Sequence, residues 1–219
     1  MRLELPLPII YPITSGETTP HTTPDDPRFL NILRLVQAAV AAEVPLFQIR
    51  EKTLPARVLY ELTARAAEIT RGSQTRLLVN DRSDIARAAG ADGVHLATHS
   101  LPADVVRRIY GSEFLIGVST HSLEAAQEAA KAGADFVVFG PVFETESKRV
   151  YGAPQGVERL REVTRELREF PVVAIGGITS ENVQVCFAAG ATGVAAIRLF
   201  HDATEIKSVA EKIRNGFQR

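Results

Sequence analysis

The sequence predicts an α/β protein folded as a single (β/α)8 TIM barrel spanning residues 1–219. Three observations carry this prediction. Eight short, nearly continuous apolar runs recur along the chain, the pattern of parallel strands buried on both faces. Segments of helical period separate them. Three helix-to-strand junctions also share one form: Ala89-Gly90-Ala91-Asp92, Ala132-Gly133-Ala134-Asp135 and Ala189-Gly190-Ala191-Thr192. Each carries a glycine where a left-handed residue ends a helix.

The expected strands are Pro8–Thr14, Pro45–Arg50, Arg76–Asn80, Gly93–Leu96, Phe114–Ser119, Asp135–Gly140, Pro171–Ile175 and Gly193–Arg198. After the first strand, Phe29, Leu33, Val36 and Val40 fall on one helical stripe. After the second, Val58, Leu62, Ala66 and Ile69 do the same. The last helix opens on Asp202 and Glu205, spaced like a capping box. A doubly wound open sheet is the rival architecture, but it would carry fewer strands and a glycine-rich turn after the first. Here the first strand runs into a polar, proline-rich segment at about 14–27, which reads as a mobile loop.

Bulk properties bound the function. The 219 residues suit one barrel, and the formal net charge of −1 argues against a nucleic-acid binder. An anionic ligand must therefore be held by a few local cations. No apolar run reaches the length of a membrane span, and the N-terminus lacks the form of a signal peptide. The expectation is a cytoplasmic protein that engages neither nucleic acid nor membrane. Cys186 lies in an apolar stretch and reads as a small buried hydrophobe.

Chemistry in such a barrel gathers at the C-terminal ends of the strands. The residues placed there include Thr14, Gln48, Arg50, Lys52, Asn80, Asp81, His95, Ser119, His121, Thr145, Ser147, Lys148, Gly176, Gly177, Ile197 and Arg198. Cations outnumber carboxylates among them, which suits a ligand bearing several phosphate charges. Gln48, Arg50 and Lys52 alternate, so strand geometry puts them on one side, inward; the alternative is a solvated strand end. Asp81 fits a Mg²⁺ ligand or a helix cap. The Gly176-Gly177 pair before a helix start fits close backbone approach to a phosphate. His121 fits a general acid or base, or a histidine bonded to backbone.

These residues lie in the segments FQIREK, VNDR, GADGVHL, IGVSTHS, GADFVVFGPVF, ETESK and AIGGITSENV, within a stretch running from YPIT at Tyr11 to GVAAIR ending at Arg198. In that order and spacing the chain resembles the thiamin-phosphate synthase superfamily, which includes the thiazole tautomerase TenI. The resemblance implies small phosphorylated heterocyclic substrates: a pyrimidine diphosphate joined to a thiazole phosphate, with release of pyrophosphate. It implies Gln48 at the pyrimidine ring with His95 nearby. It places Arg50, Lys52, Asn80, Ser119 and Lys148 on the diphosphate and Asp81 on Mg²⁺. Thr145, Ser147, Gly176, Gly177, Ile197 and Arg198 would line the thiazole-phosphate site. Arg50, Lys52 and Lys148 would also act in catalysis.

Three positions depart from the family pattern. Ser100 stands where synthases carry a second Mg²⁺ aspartate, the ETESK loop is closer to TenI, and Arg198 replaces a usual serine. Two alternatives follow: a thiazole tautomerase with His121 as acid/base, and a non-catalytic barrel that binds phosphorylated ligands.

Overall fold

All eight strands form, each joined to the next by a helix. The computed structural model describes residues 5–144, 153–202 and 204–217. In chain order the elements are β1 (Ile9–Pro12), α1 (Pro27–Ala41), β2 (Leu46–Ile49), α2 (Ala56–Thr70), β3 (Arg76–Asn80), α3 (Ser83–Ala88), β4 (Gly93–Leu96) and α4 (Ala103–Tyr110). There follow β5 (Leu115–Thr120), α5 (Leu123–Lys131), β6 (Phe136–Phe139), α6 (Gly156–Glu166), β7 (Val172–Ile175), α7 (Val183–Ala188), β8 (Gly193–Ala196) and α8 (Ile206–Phe217).

From β2 to β8 each strand pairs in parallel with the next in sequence, and β1 pairs in parallel with β8. Between β1 and β2 the ring closes through a bridge from Ile13 to Gln48, where the Thr14 N–H donates to the Gln48 carbonyl at 3.1 Å. This closure excludes the open sheet. Among the described residues no helix is long and apolar enough to cross a membrane.

Strand alternation sorts the core into two layers. Ile9, Tyr11, Leu46, Leu78, Leu115, Phe136 and Val173 fill the barrel interior. Phe47, Ile49, Val79, Val94 and Ile116 point outward to the helices. Helix α1 starts cleanly: Asp26 caps it by accepting the Arg28 N–H at 2.8 Å, and Pro27 sits where no amide donor is needed. Its buried face is Phe29, Ile32, Leu33, Val36 and Ala39, so Ala39 carries the stripe further than the expected Val40.

Two boundaries differ from the sequence expectation. Strand β8 ends at Ala196, because Arg198–Phe200 turns into a 3-10 helix and takes Arg198 off the strand. Asp202 does not cap α8. Its carboxylate accepts from the Thr204 N–H at 2.8 Å and the Thr204 hydroxyl at 2.7 Å, closing a local turn, and α8 begins at Ile206.

The three similar junctions do the same work at the far end of the barrel. Gly90, Gly133 and Gly190 have φ of +78°, +91° and +92°, which reverses the chain from helix to strand. The residue two positions later ties to the preceding strand. Asp92 accepts the Leu77 N–H at 2.8 Å, and Asp135 accepts the Ile116 N–H at 2.7 Å. Arg107 seals the second junction, reaching Asp135 at 2.7 Å and the Gly133, Gly111 and Phe114 carbonyls at 2.7–3.0 Å. Asp135→Ala leaves a largely buried guanidinium and a strand N–H short of an acceptor. The expected loss is about 3 kcal/mol of stability, read as a lower urea midpoint.

Candidate active site

The floor of the mouth is built by three inward strand positions. Tyr11 on β1, Gln48 on β2 and His95 on β4 are all buried, with Tyr11 fully enclosed. Buried polar groups require partners, and these find one another. The Gln48 Nε2 lies 2.7 Å from the Tyr11 hydroxyl, the Tyr11 hydroxyl 3.3 Å from His95 Nδ1, and His95 Nε2 2.8 Å from Ser119 Oγ on β5. The Tyr11, His95 and Phe136 rings pack together, Tyr11 edge-on to Phe136 at 5.6 Å. Gly117 makes the space: a Cβ there would stand 2.4 Å from the Phe136 ring and 2.9 Å from His95 Nδ1.

Burial, helped by the charge of Arg50, pushes the His95 pKa from 6.5 down to about 3. His95 is therefore neutral at physiological pH. As pH falls through 6.5 the unfolded chain takes up a proton that the folded chain refuses until about 3. The contribution of neutral His95 to stability is whole above pH 6.5 and is lost toward pH 3, by about 1.4 kcal/mol per pH unit. Between pH 7 and 5 the wild type is expected to lose about 2 kcal/mol more than His95→Gln. Urea unfolding of both proteins at the two pH values checks this.

Arg50 follows β2, half-buried, its N–H held by Thr14 Oγ1 at 2.8 Å. The loop after β1 touches it: a Cβ on Gly16 would lie 3.9 Å from the Arg50 Nη1. Glu51 fixes that contact. Its buried carboxylate accepts from the Gly16 N–H at 3.2 Å, the Thr18 N–H at 3.2 Å and the Thr18 hydroxyl at 2.5 Å. Thr53 adds a bond to the Thr18 carbonyl at 2.6 Å. The segment at 14–27, read from sequence as mobile, is thus tied down at its start. Beside this latch lies a cavity of about 360 Å³ that Thr14, Thr18, Glu51 and Ile197 help to line, which brings β1, β2 and the end of β8 together.

Strand alternation stops at Ile49, so it does not extend to Lys52, which lies exposed in the turn before α2. Asn80 ends β3 half-buried, paired in register with His95. Asp81 is exposed, with a left-handed φ of +64° and its N–H bonded to the His95 carbonyl at 2.9 Å. The cap position of α3 is Arg82, so Asp81 does not cap that helix. Ser100 Oγ accepts the Ala97 N–H at 2.8 Å.

The Gly176-Gly177 pair has φ of +98° and +64°. The glycines serve a close packing between loops. A Cβ on Gly176 would stand 2.5 Å from Pro141 Cβ, and one on Gly177 would stand 2.7 Å from Phe143 Cβ. Three of the N–H groups that follow are bonded within the turn. Those of Thr179, Glu181 and Asn182 go to the side chains of Asn182 and Thr179.

His121 is exposed, its Nδ1 donating to the Gly140 carbonyl at 2.5 Å, which is the backbone-bonded arrangement. Arg198 is exposed at the start of the 3-10 turn. Thr145, Ser147 and Lys148 lie outside the described residues.

Sequence reasoning missed Tyr11 and Glu51. Tyr11 had a signal: a hydroxyl inside an apolar strand, two residues from Ile9 and Ile13, must find a partner inside the barrel. Glu51 lies between Arg50 and Lys52, past the end of β2, and only the fold brings Thr18 to it.

The chain matches the family model described as thiamine monophosphate synthase over residues 18–200. A putative thiamine-phosphate synthase of Geobacter sulfurreducens is 49% identical over 167 residues, covering 76% of this chain and 78% of that one. A thiamine-phosphate synthase of Moorella thermoacetica is 41% identical over 182 residues, covering 83% and 86%. The solved structure of a thiamine phosphate pyrophosphorylase from Pyrococcus furiosus superposes with a TM-score of 0.78 at 32% identity, covering 96% of each chain.

Proposed function

The chain belongs to the thiamine monophosphate synthase family, and from that premise we propose that it is the transferase that joins a pyrimidine diphosphate to a thiazole phosphate, forming thiamine phosphate and releasing pyrophosphate. One observation supports this most: a neutral polar floor ending in the Ser119 hydroxyl, with the half-buried Arg50 near enough for its charge to act on His95. The floor suits a heterocycle, and the rim suits the charge of a diphosphate.

Cleavage at the pyrimidine methylene leaves a delocalised cation and pyrophosphate. The bond to pyrophosphate breaks with its electron pair on the departing oxygen, and the thiazole nitrogen then donates its pair to the methylene carbon. Catalysis needs stabilisation of the departing charge and alignment of the nitrogen, and no protein nucleophile. Arg50, Ser119 and Asn80 would hold the diphosphate, with Lys52 and Lys148. Gln48 would hold the pyrimidine. The glycine turn, Ile197 and Arg198, with Thr145 and Ser147, would hold the thiazole phosphate.

Among the described residues no three His, Cys, Asp or Glu side chains gather into a metal cage. The donor set still fits Mg²⁺, which takes one or two carboxylates and completes its shell with phosphate oxygens and water. Asp81, exposed at the end of β3, is the carboxylate that would hold it. When bound, the ion would neutralise charge on the diphosphate.

Incubating the protein with both substrates and Mg²⁺ is expected to give pyrophosphate and thiamine phosphate in equal amounts, and none with excess chelator. No product at any Mg²⁺ concentration refutes the reading. Proton exchange into a thiazole carboxylate phosphate, lost in His121→Ala, would support the tautomerase in its place.

A further inference from the structure

We propose that Tyr11 and His95 are positioning residues that transmit the orientation of the Gln48 amide to the Ser119 hydroxyl, so that the heterocycle bound at Gln48 decides whether Ser119 donates a hydrogen bond to the diphosphate. This rests on the synthase reading above and adds a specificity device to it.

Four groups stand in a line: Gln48 amide, Tyr11 hydroxyl, His95 ring and Ser119 hydroxyl, at 2.7, 3.3 and 2.8 Å. The Tyr11 phenol has one proton and is wholly enclosed. Neutral imidazole has one N–H and one lone pair, on opposite sides of the ring. Two arrangements satisfy every link. In the first, Gln48 turns its NH2 to Tyr11, Tyr11 donates to His95 Nδ1, and the His95 proton sits on Nε2 and is given to Ser119. Ser119 then has its own proton left to donate. In the second, Gln48 turns its oxygen to Tyr11, every bond reverses, and Ser119 spends its proton on His95. A mixed state sets two protons or two lone pairs against each other across one link, or leaves the buried phenol proton without an acceptor, and each loses a hydrogen bond inside the barrel.

The ligand chooses between the two. In the first arrangement the Gln48 oxygen is the free end of the amide and accepts an N–H, such as the amino group of an aminopyrimidine. Ser119 is then a donor at the place where anionic charge develops. A heterocycle that offers only an acceptor, such as an oxo group, draws the Gln48 NH2 to itself and reverses the line. Ser119 loses its donor role without having met the heterocycle. Recognition of the ring is thereby coupled to stabilisation of the leaving group.

The test places ¹⁵N in the histidine rings and reads by NMR which His95 nitrogen carries the proton. The ligand-free protein and Gln48→Glu are compared at a pH where infrared shows the introduced carboxyl ionised. A carboxylate can only accept from Tyr11, so the proton is expected on Nε2 in the wild type and on Nδ1 in Gln48→Glu. Adding Tyr11→Phe is expected to abolish the dependence on residue 48. A proton on the same nitrogen whatever stands at 48 overturns the relay, and this readout needs no enzymatic activity. In kinetics, Tyr11→Phe and Ser119→Ala are each expected to lower kcat about 10- to 100-fold, and the double variant to be no slower than Ser119→Ala alone. Additive losses overturn the relay. Absence of any turnover in the wild type, with the NMR switch intact, overturns the synthase reading and leaves the relay standing.

Discussion

Arg50→Ala is expected to lower kcat/KM for the pyrimidine diphosphate by about 10²- to 10³-fold, equivalent to about 3–4 kcal/mol. Arg50 is half-buried, its charge reaches His95, and its Nη1 lies close to Gly16 in the loop after β1, so its field acts where solvent screens less than in bulk water. Its backbone is pinned by Thr14 and its neighbour Glu51 is locked to Gly16 and Thr18, so little reorganisation is needed when charge develops. The loss should fall mainly on kcat, because pyrophosphate gains charge as its bond to carbon breaks. KM for the thiazole phosphate should change far less. Arg50→Lys keeps the charge and loses the planar fork, so it should fall between wild type and alanine. Steady-state kinetics with each substrate varied in turn reads these effects. Equal weakening toward both substrates would contradict the site as drawn.

Gly177→Ala carries the second large effect. At φ +64° an alanine is strained by about 1 kcal/mol. Its Cβ would also stand 2.7 Å from Phe143 Cβ and 2.8 Å from the Glu144 carbonyl, and backbone cannot yield as a flexible side chain does. Either the glycine turn or the loop after β6 must move, and that loop leads into Thr145, Ser147 and Lys148. The expected result is a loss of about 2–3 kcal/mol in stability and at least about 10²-fold in kcat/KM. Gly72→Ala is the control. It has a φ of +76° with nothing within 4 Å of the added Cβ, at the opposite end of the barrel. It should cost only the backbone strain, about 1 kcal/mol, with kcat/KM unchanged. Urea unfolding with steady-state kinetics on both variants separates strain from loop displacement.

The barrel was legible because its code is redundant. Each strand is an apolar run, and three far-end junctions carry a glycine in a left-handed turn, so Gly90, Gly133 and Gly190 announced their positions. Strand ends were less legible, since the 3-10 turn at Arg198–Phe200 depends on packing that local pattern does not encode. In the site, inward parity placed Gln48 correctly on the floor, and His95 joined it from β4. Alternation could not say where β2 stops, so it carried Lys52 along with Arg50. Tyr11 passed as one more apolar residue, because its role lies in the hydroxyl and in partners from β2 and β4. Glu51 was invisible for the same reason: its partners are on a loop 33 and 35 residues earlier. Parity along a strand is readable locally, whereas the closing of a hydrogen-bond line across the barrel is not.

We propose that Arg50, Asn80 and Ser119, which lie at or near the ends of separate strands, form one diphosphate pocket. The most direct measurement is calorimetric titration of Mg²⁺-pyrophosphate into the wild type, Arg50→Ala and Ser119→Ala, each with and without the pyrimidine diphosphate. One site per chain is expected, weakened at least about tenfold in either variant and abolished by competition with the pyrimidine diphosphate. Pyrophosphate binding that ignores both substitutions, or that persists beside bound pyrimidine diphosphate, would contradict it.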